Sequence, residues 1–227
     1  MKKKILVIAP HPDDEVLGAG GILAKSKRLG YKTKVLTICT NFVPPIQKKR
    51  LENCLKEAKK AHKILNVDKS VFFNIPALTI HKEPTEILTR RIFNEIKNFE
   101  PSIVLIPFPD MHQDHKAVFN LCMAVTRPKG IGKKISLVAC YEVPSATYYS
   151  APKIEPNFYP NWNVDISSSI KKKSNALKEY KSTLSKNETA RSIKAINSLA
   201  SFRGSQCGFN YAESFYIIRH QSKNILF

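Results

Sequence analysis

The apolar positions of this chain switch between two periods. Ile5 to Ala9 is a short continuous apolar run, the pattern of a strand covered on both faces. A turn rich in special residues follows, with Gly18, Gly20 and Gly21 near its end, and Ile22 to Leu29 then has helical character, closed by Gly30 as a C-cap. Lys34 to Cys39 predicts a second strand. After Pro44-Pro45, Leu51, Leu55, Ala58, Ala61 and Leu65 recur near helical spacing. Val71 to Phe73 is a short third strand, Pro84 opens a helix running to about Phe99, and Ile103 to Ile106 is a fourth buried strand. Ala117 to Val125 is helical and Ile135 to Val143 is a fifth strand. The last third is less regular: a Pro/Asn/Tyr-rich loop from Pro144 to Asn163, a helix near Ile170 to Leu184, and a final strand from Phe215 to Arg219. Strands alternating with helices predict an α/β fold with a mostly parallel sheet. No linker or repeat divides residues 1–227, so a single domain is expected.

Composition narrows the setting. Met1-Lys2-Lys3-Lys4 before an apolar run resembles a secretory leader, but Pro10, His11, Asp13 and Asp14 interrupt the run before the ~7–15 apolar residues such a core needs. No later stretch reaches the ~18 apolar residues of a membrane span, so a soluble, cytoplasmic protein is expected. The five cysteines are scattered, with no CxxC pair, which argues for buried free thiols and against a cysteine zinc site. Thirty-seven Lys and Arg against 18 Asp and Glu leave a net charge of +19. That balance suits an anionic partner, or reflects a lysine-rich solvated surface. No aromatic-basic ladder is present, so nucleic acid is not an expected partner. The sequence leaves open whether the chain forms a homo-oligomer.

Two polar clusters each follow a predicted strand. His11-Pro12-Asp13-Asp14-Glu15 follows the first strand, and Asp110-Met111-His112-Gln113-Asp114-His115 follows the fourth. In a parallel sheet both then lie at the same edge, where ligands bind. A lone acidic turn would be read as a helix cap, but two clusters holding three of the six histidines point to a metal centre. A His and a carboxylate three residues apart can reach one ion, and the second cluster can add another His. Asp13 and Asp14 are neighbours and face different ways, so one can bind metal while the other acts as general base. His112 can donate to a developing oxyanion and to a leaving amine, with Asp114 placed to orient its imidazole. Two His and one carboxylate also suit Fe(II), so a non-haem iron oxygenase is an alternative, as is a binding protein for anionic glycans or nucleic acid. Gly18 to Gly21 does not fit a dinucleotide fingerprint. Glu15 is open to substrate binding or to capping and packing, and Asp110 to a sugar contact or a turn. His62, His81 and His220 are expected at the surface.

The Ala9-Pro10-His11-Pro12-Asp13-Asp14-Glu15 run and the His112-Gln113-Asp114-His115 tetrad resemble the PIG-L/LmbE family of zinc N-deacetylases. Asp165-Ile166, Ala176-Leu177 with Tyr180, Arg203-Gly204 and Tyr211-Ala212-Glu213 extend the resemblance over nearly the whole chain. It implies a Rossmann-like fold with helices on both faces of the sheet, and hydrolysis of the N-acetyl group of an N-acetylglucosamine-type amino sugar or glycoconjugate. It assigns His11, Asp14 and His115 to Zn2+, which Fe2+ or another divalent ion could replace. It makes Asp13 the base and His112, backed by Asp114, the oxyanion partner. The chain departs from the family at Thr40-Asn41-Phe42-Val43-Pro44-Pro45, and Arg50 only loosely matches the family's substrate-binding Arg. The charge adds the expectation of an acceptor carrying phosphate or another acidic group.

Overall fold

A computed structural model describes residues 3–41, 48–151, 153–185 and 189–222, with the backbone alone for 48–51. Its strands are β1 Lys4–Ala9, β2 Lys32–Thr37, β3 Lys69–Phe72, β4 Ile103–Pro107, β5 Leu137–Tyr141, β6 Trp162–Asp165 and β7 Ala212–His220. Its helices are α1 Asp14–Ser26, α2 Lys48–Leu65, α3 Thr85–Phe99, α4 Gln113–Val125, the single turn α5 Pro144–Thr147, α6 Ile170–Leu177 and α7 Ile193–Ser205. The strands form one seven-stranded sheet in the order β3-β2-β1-β4-β5-β7-β6. β1 to β5 run parallel to one another, while β7 runs antiparallel to both β5 and β6.

Alternation along the central strands builds two cores. Ile5, Val7, Val35, Leu105 and Ala139 face one side, where α1, α2, α6 and α7 add Leu23, Ala58, Leu65, Leu177 and Ile196. Leu6, Ile8, Leu36, Val104, Ile106 and Val138 face the other, against Leu88, Ile92 and Ile96 of α3 and Val118, Leu121 and Val125 of α4. Both faces of the central strands are therefore dry, which is why their sequences read as continuous apolar runs. The helices on both faces agree with the expected α/β, Rossmann-like architecture.

The strand order positions the site. The chain winds outward from β1 to β3, then returns to place β4 on the other side of β1. In open α/β sheets ligands bind where the winding reverses, beyond the carboxyl ends of the strands. Both motif-bearing loops leave this point, since β1 and β4 are paired, Val7 opposite Leu105.

Three features differ from expectation. α1 begins at Asp14, eight residues before the first apolar-periodic position, and its glycines lie inside it rather than in a preceding turn. Asp14 and Glu15 in its first turn match the positive end of the helix dipole. The glycines are there because the helix lies close to the sheet: a Cβ on Gly18 would sit 2.1 Å from Cδ2 of Tyr141, and one on Gly21 2.6 Å from Ile166. Second, β6 falls partly in the stretch read as a loop, and α7 was not anticipated. Third, the helix that starts at Ile170 ends at Leu177 instead of Leu184. Gly30 does adopt the left-handed conformation of a C-cap, with φ 76°. Four cysteines are buried, Cys207 is half-buried, and all five are free thiols.

Gly18→Ala should be strongly destabilising. The Tyr141 ring cannot retreat, because its hydroxyl donates to the Ile8 carbonyl at 2.9 Å. Overpacking of this kind costs about 3 kcal/mol, or a fall in Tm of roughly 6–12 °C for a chain of this size. A thermal melt of the variant checks it.

Candidate metal centre and active site

The two motifs converge as the topology requires. After β1 the chain turns through Pro10-His11-Pro12, and Asp13 takes up φ 107°, a left-handed conformation disfavoured for a residue with a side chain. The Asp13 carbonyl then accepts from Leu17 at 2.8 Å as α1 begins. After β4, the side chain of His112 caps α4, its Nδ1 accepting from the Asp114 amide at 3.1 Å. That contact leaves the His112 proton on Nε2.

The side chains of His11, His112 and His115 come together, with a nitrogen of each within 4.8 Å of the others. Asp14 joins them: Oδ2 lies 3.1 Å from His11 Nδ1 and 3.3 Å from His115 Nε2. Its other oxygen, Oδ1, is buried without a hydrogen-bond partner. An orphaned carboxylate oxygen beside converging imidazoles fits a divalent cation, and the mixed nitrogen and oxygen donors suit zinc or iron better than calcium or magnesium.

The surrounding carboxylates are placed differently from expectation. Asp114 does not orient His112. Its Oδ2 contacts His11 Nε2 at 2.9 Å and accepts from the Leu78 amide at 2.8 Å, because capping of α4 directs the Asp114 amide, not its carboxylate, at His112. Asp110 is fully buried, with Oδ2 3.0 Å from His115 Nδ1, and it accepts from Thr147 Oγ1 at 3.1 Å and from the His112 amide at 3.0 Å. A carboxylate behind a ligating imidazole fixes the ring's orientation and tautomer. Asp110 therefore offers no surface to a sugar. Glu15 is fully buried too. Its Oε2 accepts from the Asp13 amide at 3.2 Å, and its Oε1 meets His62 Nε2 at 3.1 Å and the hydroxyl of Tyr180. Glu15 thus holds the strained Asp13 backbone from behind, which leaves no room for substrate contact.

His62 corrects another expectation. It is 3% exposed, and its Nδ1 lies 2.7 Å from Ser70 Oγ. The signal was present, since 58, 61, 62 and 65 share one helix face. His81 and His220 are exposed, as expected. The side chain of Arg50 lies outside the described residues. Two residues with no local signature also reach the centre. Arg191 Nη1 lies 2.5 Å from Asp13 Oδ2, and the thiol of Cys39 lies near His11 and Asp114.

The electrostatics follow from burial and neighbours. Burial raises Asp13 to about 7, and Arg191 only partly offsets it. Burial pushes His11 and His115 down, but Asp114 and Asp14 outweigh it for His11, which rises to about 9, and Asp14 and Asp110 for His115, which rises to about 10. Burial opposes ionisation of Asp14, yet His115 and His11 hold it well below the carboxylate range. Burial and the neighbouring His11 and His115 lower His112 to about 4, which makes it a neutral hydrogen-bond donor at physiological pH.

The chain is 26% identical over 93% of its length to diacetylchitobiose deacetylase of Thermococcus kodakarensis, 81% of which is covered. Among solved structures, the N,N'-diacetylchitobiose deacetylase of Pyrococcus horikoshii matches 95% of this chain and 84% of its own, at TM-score 0.75 and 21% identity. GalB, the 4-carboxy-2-hydroxymuconate hydratase of Pseudomonas putida, matches 99% of this chain and all of its own, at TM-score 0.79 and 19% identity. At such identities these two likenesses show the fold alone. The PIG-L family model, described as GlcNAc-PI de-N-acetylase, matches residues 6–126, more than half of the chain. That span runs from β1 through α4 and carries every residue of both motifs, and by it the chain belongs to the PIG-L family of de-N-acetylases.

Proposed function

We propose that this protein is a zinc-dependent hydrolase that removes the N-acetyl group of an N-acetylglucosamine-type amino sugar or glycoconjugate. The reading rests on the meeting of His11, Asp14 and His115 beside Asp13 in a chain of this family. His11, Asp14 and His115 would hold the ion, with Fe2+ or another divalent cation able to replace zinc. A cation in such a set supplies Lewis acidity, lowering the pKa of water to about 7 and polarising a carbonyl.

The protein's own groups do the rest. Asp13 takes the proton of the attacking water, and its raised pKa suits both accepting that proton and giving it up near neutrality. His112 Nε2–H donates to the oxyanion that forms on the acetyl carbonyl. Because His112 is weakly basic, the proton for the departing amine comes back from Asp13 instead. The C–N bond breaks, acetate and a free amine leave, and Asp13 is again ionised. Asp110 keeps His115 in register, while Asp114 holds His11 and the Leu78 loop.

This chemistry predicts that metal uptake releases protons. His11 and His115 are raised to about 9 and about 10, so both are protonated at neutral pH and must lose their protons to bind. Apparent zinc affinity should therefore rise with pH, on the order of tenfold per pH unit for each proton released, and level off above pH 9–10. Competition with a chelator of known affinity from pH 6 to 10 checks it. A flat profile would show that these imidazoles are already neutral in the metal-free protein.

The net charge of +19 further favours an anionic acceptor, such as a phosphorylated or otherwise acidic sugar. A panel of neutral and phosphorylated N-acetylated sugars, scored for acetate and free amine together, tests the assignment. Acetate and amine should appear in equal amounts, and only turnover of the anionic substrates should fall as salt rises, because added salt screens the attraction. Binding without acetate release would favour the glycan-binding alternative. Oxygen consumption would favour the iron oxygenase, and addition of water across a double bond would favour chemistry like that of the hydratase sharing this fold.

A further inference from the structure

Arg191 lies 178 residues from Asp13 in sequence and outside the 6–126 span that identifies the family, yet it reaches the heart of the centre. Its Nη1 holds Asp13 Oδ2 at 2.5 Å, and its Nη2 lies 3.9 Å from Asp14 Oδ1. At its other edge, Nε donates to Ser145 Oγ at 2.7 Å. Ser145 belongs to α5, the single turn whose Thr147 donates to Asp110 behind His115. The backbone at Arg191 is fixed as well, since it precedes Ser192, whose hydroxyl caps α7 by accepting from Ala195 at 3.1 Å. Asp13 Oδ2 is taken by the guanidinium, Oδ1 makes no well-formed hydrogen bond, and the Thr183 hydroxyl lies beside the carboxylate.

We propose that Arg191 is a positioning residue for the general base: it clamps Asp13 Oδ2, so that Oδ1 is the atom that takes the water's proton. This rests on the deacetylase reading. Guanidinium suits the task because its planar fork can hold a carboxylate at one edge and a hydroxyl at the other. Glu15 fixes the Asp13 backbone and Arg191 its side chain, so the base is constrained at both ends.

The test compares wild type, Arg191→Ala and Arg191→Lys for zinc content, kcat and KM of acetate release, with and without added guanidinium. We expect unchanged zinc content, KM within about threefold and kcat lower by about 10²-fold in Arg191→Ala, the scale of a misplaced catalytic group. Millimolar guanidinium should restore kcat at least tenfold in Arg191→Ala, whereas equal sodium chloride should not. Arg191→Lys should stay impaired, because one ammonium cannot span Asp13 and Ser145. A second readout is independent of activity. In thermal melts of the single and double variants, Arg191→Ala and Asp13→Ala should be non-additive, as contacting partners are. Wild-type kcat in Arg191→Ala, a loss confined to KM, failure of guanidinium rescue, or additive melts would each overturn the proposal. If the wild type itself releases no acetate from any sugar, the deacetylase reading fails and this proposal with it. An active wild type beside an unaffected Arg191→Ala overturns the proposal alone.

Discussion

His115→Ala should abolish metal binding almost completely, with bound zinc falling from about one ion per chain to below a tenth under the same dialysis. The site would lose one of three ligands, and the change would leave Asp14 and Asp110 buried without the imidazole between them. Removing one partner of a buried charged pair costs about 3–5 kcal/mol in its own right, so circular dichroism must accompany the metal assay. Asp110→Asn separates the two effects. It keeps all three ligands while removing the charge behind His115 and disturbing the bonds from Thr147 and the His112 amide, and it should bind zinc about 10–100-fold more weakly. Full zinc content in a folded His115→Ala variant would remove this histidine from the site.

Asp13→Asn should retain its metal and lose about 10²–10⁴-fold in turnover, the usual cost of removing a general base. The amide keeps the shape of the carboxylate and can still meet Arg191 through its oxygen, so the backbone at φ 107° should be preserved. Asp14→Asn should behave in the opposite order. Asp14 faces both His11 and His115, and its loss should show first as weaker zinc binding and only through that as lower activity. Zinc analysis and acetate release on the same preparations decide the matter. If Asp13→Asn lost zinc while Asp14→Asn kept it, the roles would be reversed.

The central strands were legible because each is buried on both faces, so that Ile5 to Ala9 and Ile103 to Ile106 carry no polar interruption. β6 was not, because it is a half-buried edge strand reading Trp-Asn-Val-Asp, paired only with β7. α7 was missed for a related reason. Its buried positions are Ile196, Ala200, Arg203 and Gly204, and an arginine and a glycine break the apolar stripe. α1 was placed too late because its glycines read as a turn, whereas they serve a close helix-to-sheet approach that only tertiary structure reveals. In the site, the two motifs exposed the histidines and carboxylates contributed by the loops after β1 and β4, but not Cys39 or Leu78. They could not say which way the carboxylates face: the capping of α4 turned Asp114 toward His11, and burial withdrew Asp110 and Glu15 from the surface. Arg191 had no local signal at all, since its partner is brought to it only by folding.

The proposed reaction requires that one ion in this centre drive loss of an acetyl group. The most direct measurement is to strip the protein with a chelator and titrate zinc back while following acetate release from an N-acetylated amino sugar. Activity should be negligible at the start, rise linearly, and break at one equivalent of zinc per chain, with Asp13→Asn binding the same equivalent and staying inactive. Full acetate release by the stripped protein, or none at one bound equivalent across the sugar panel, would contradict it.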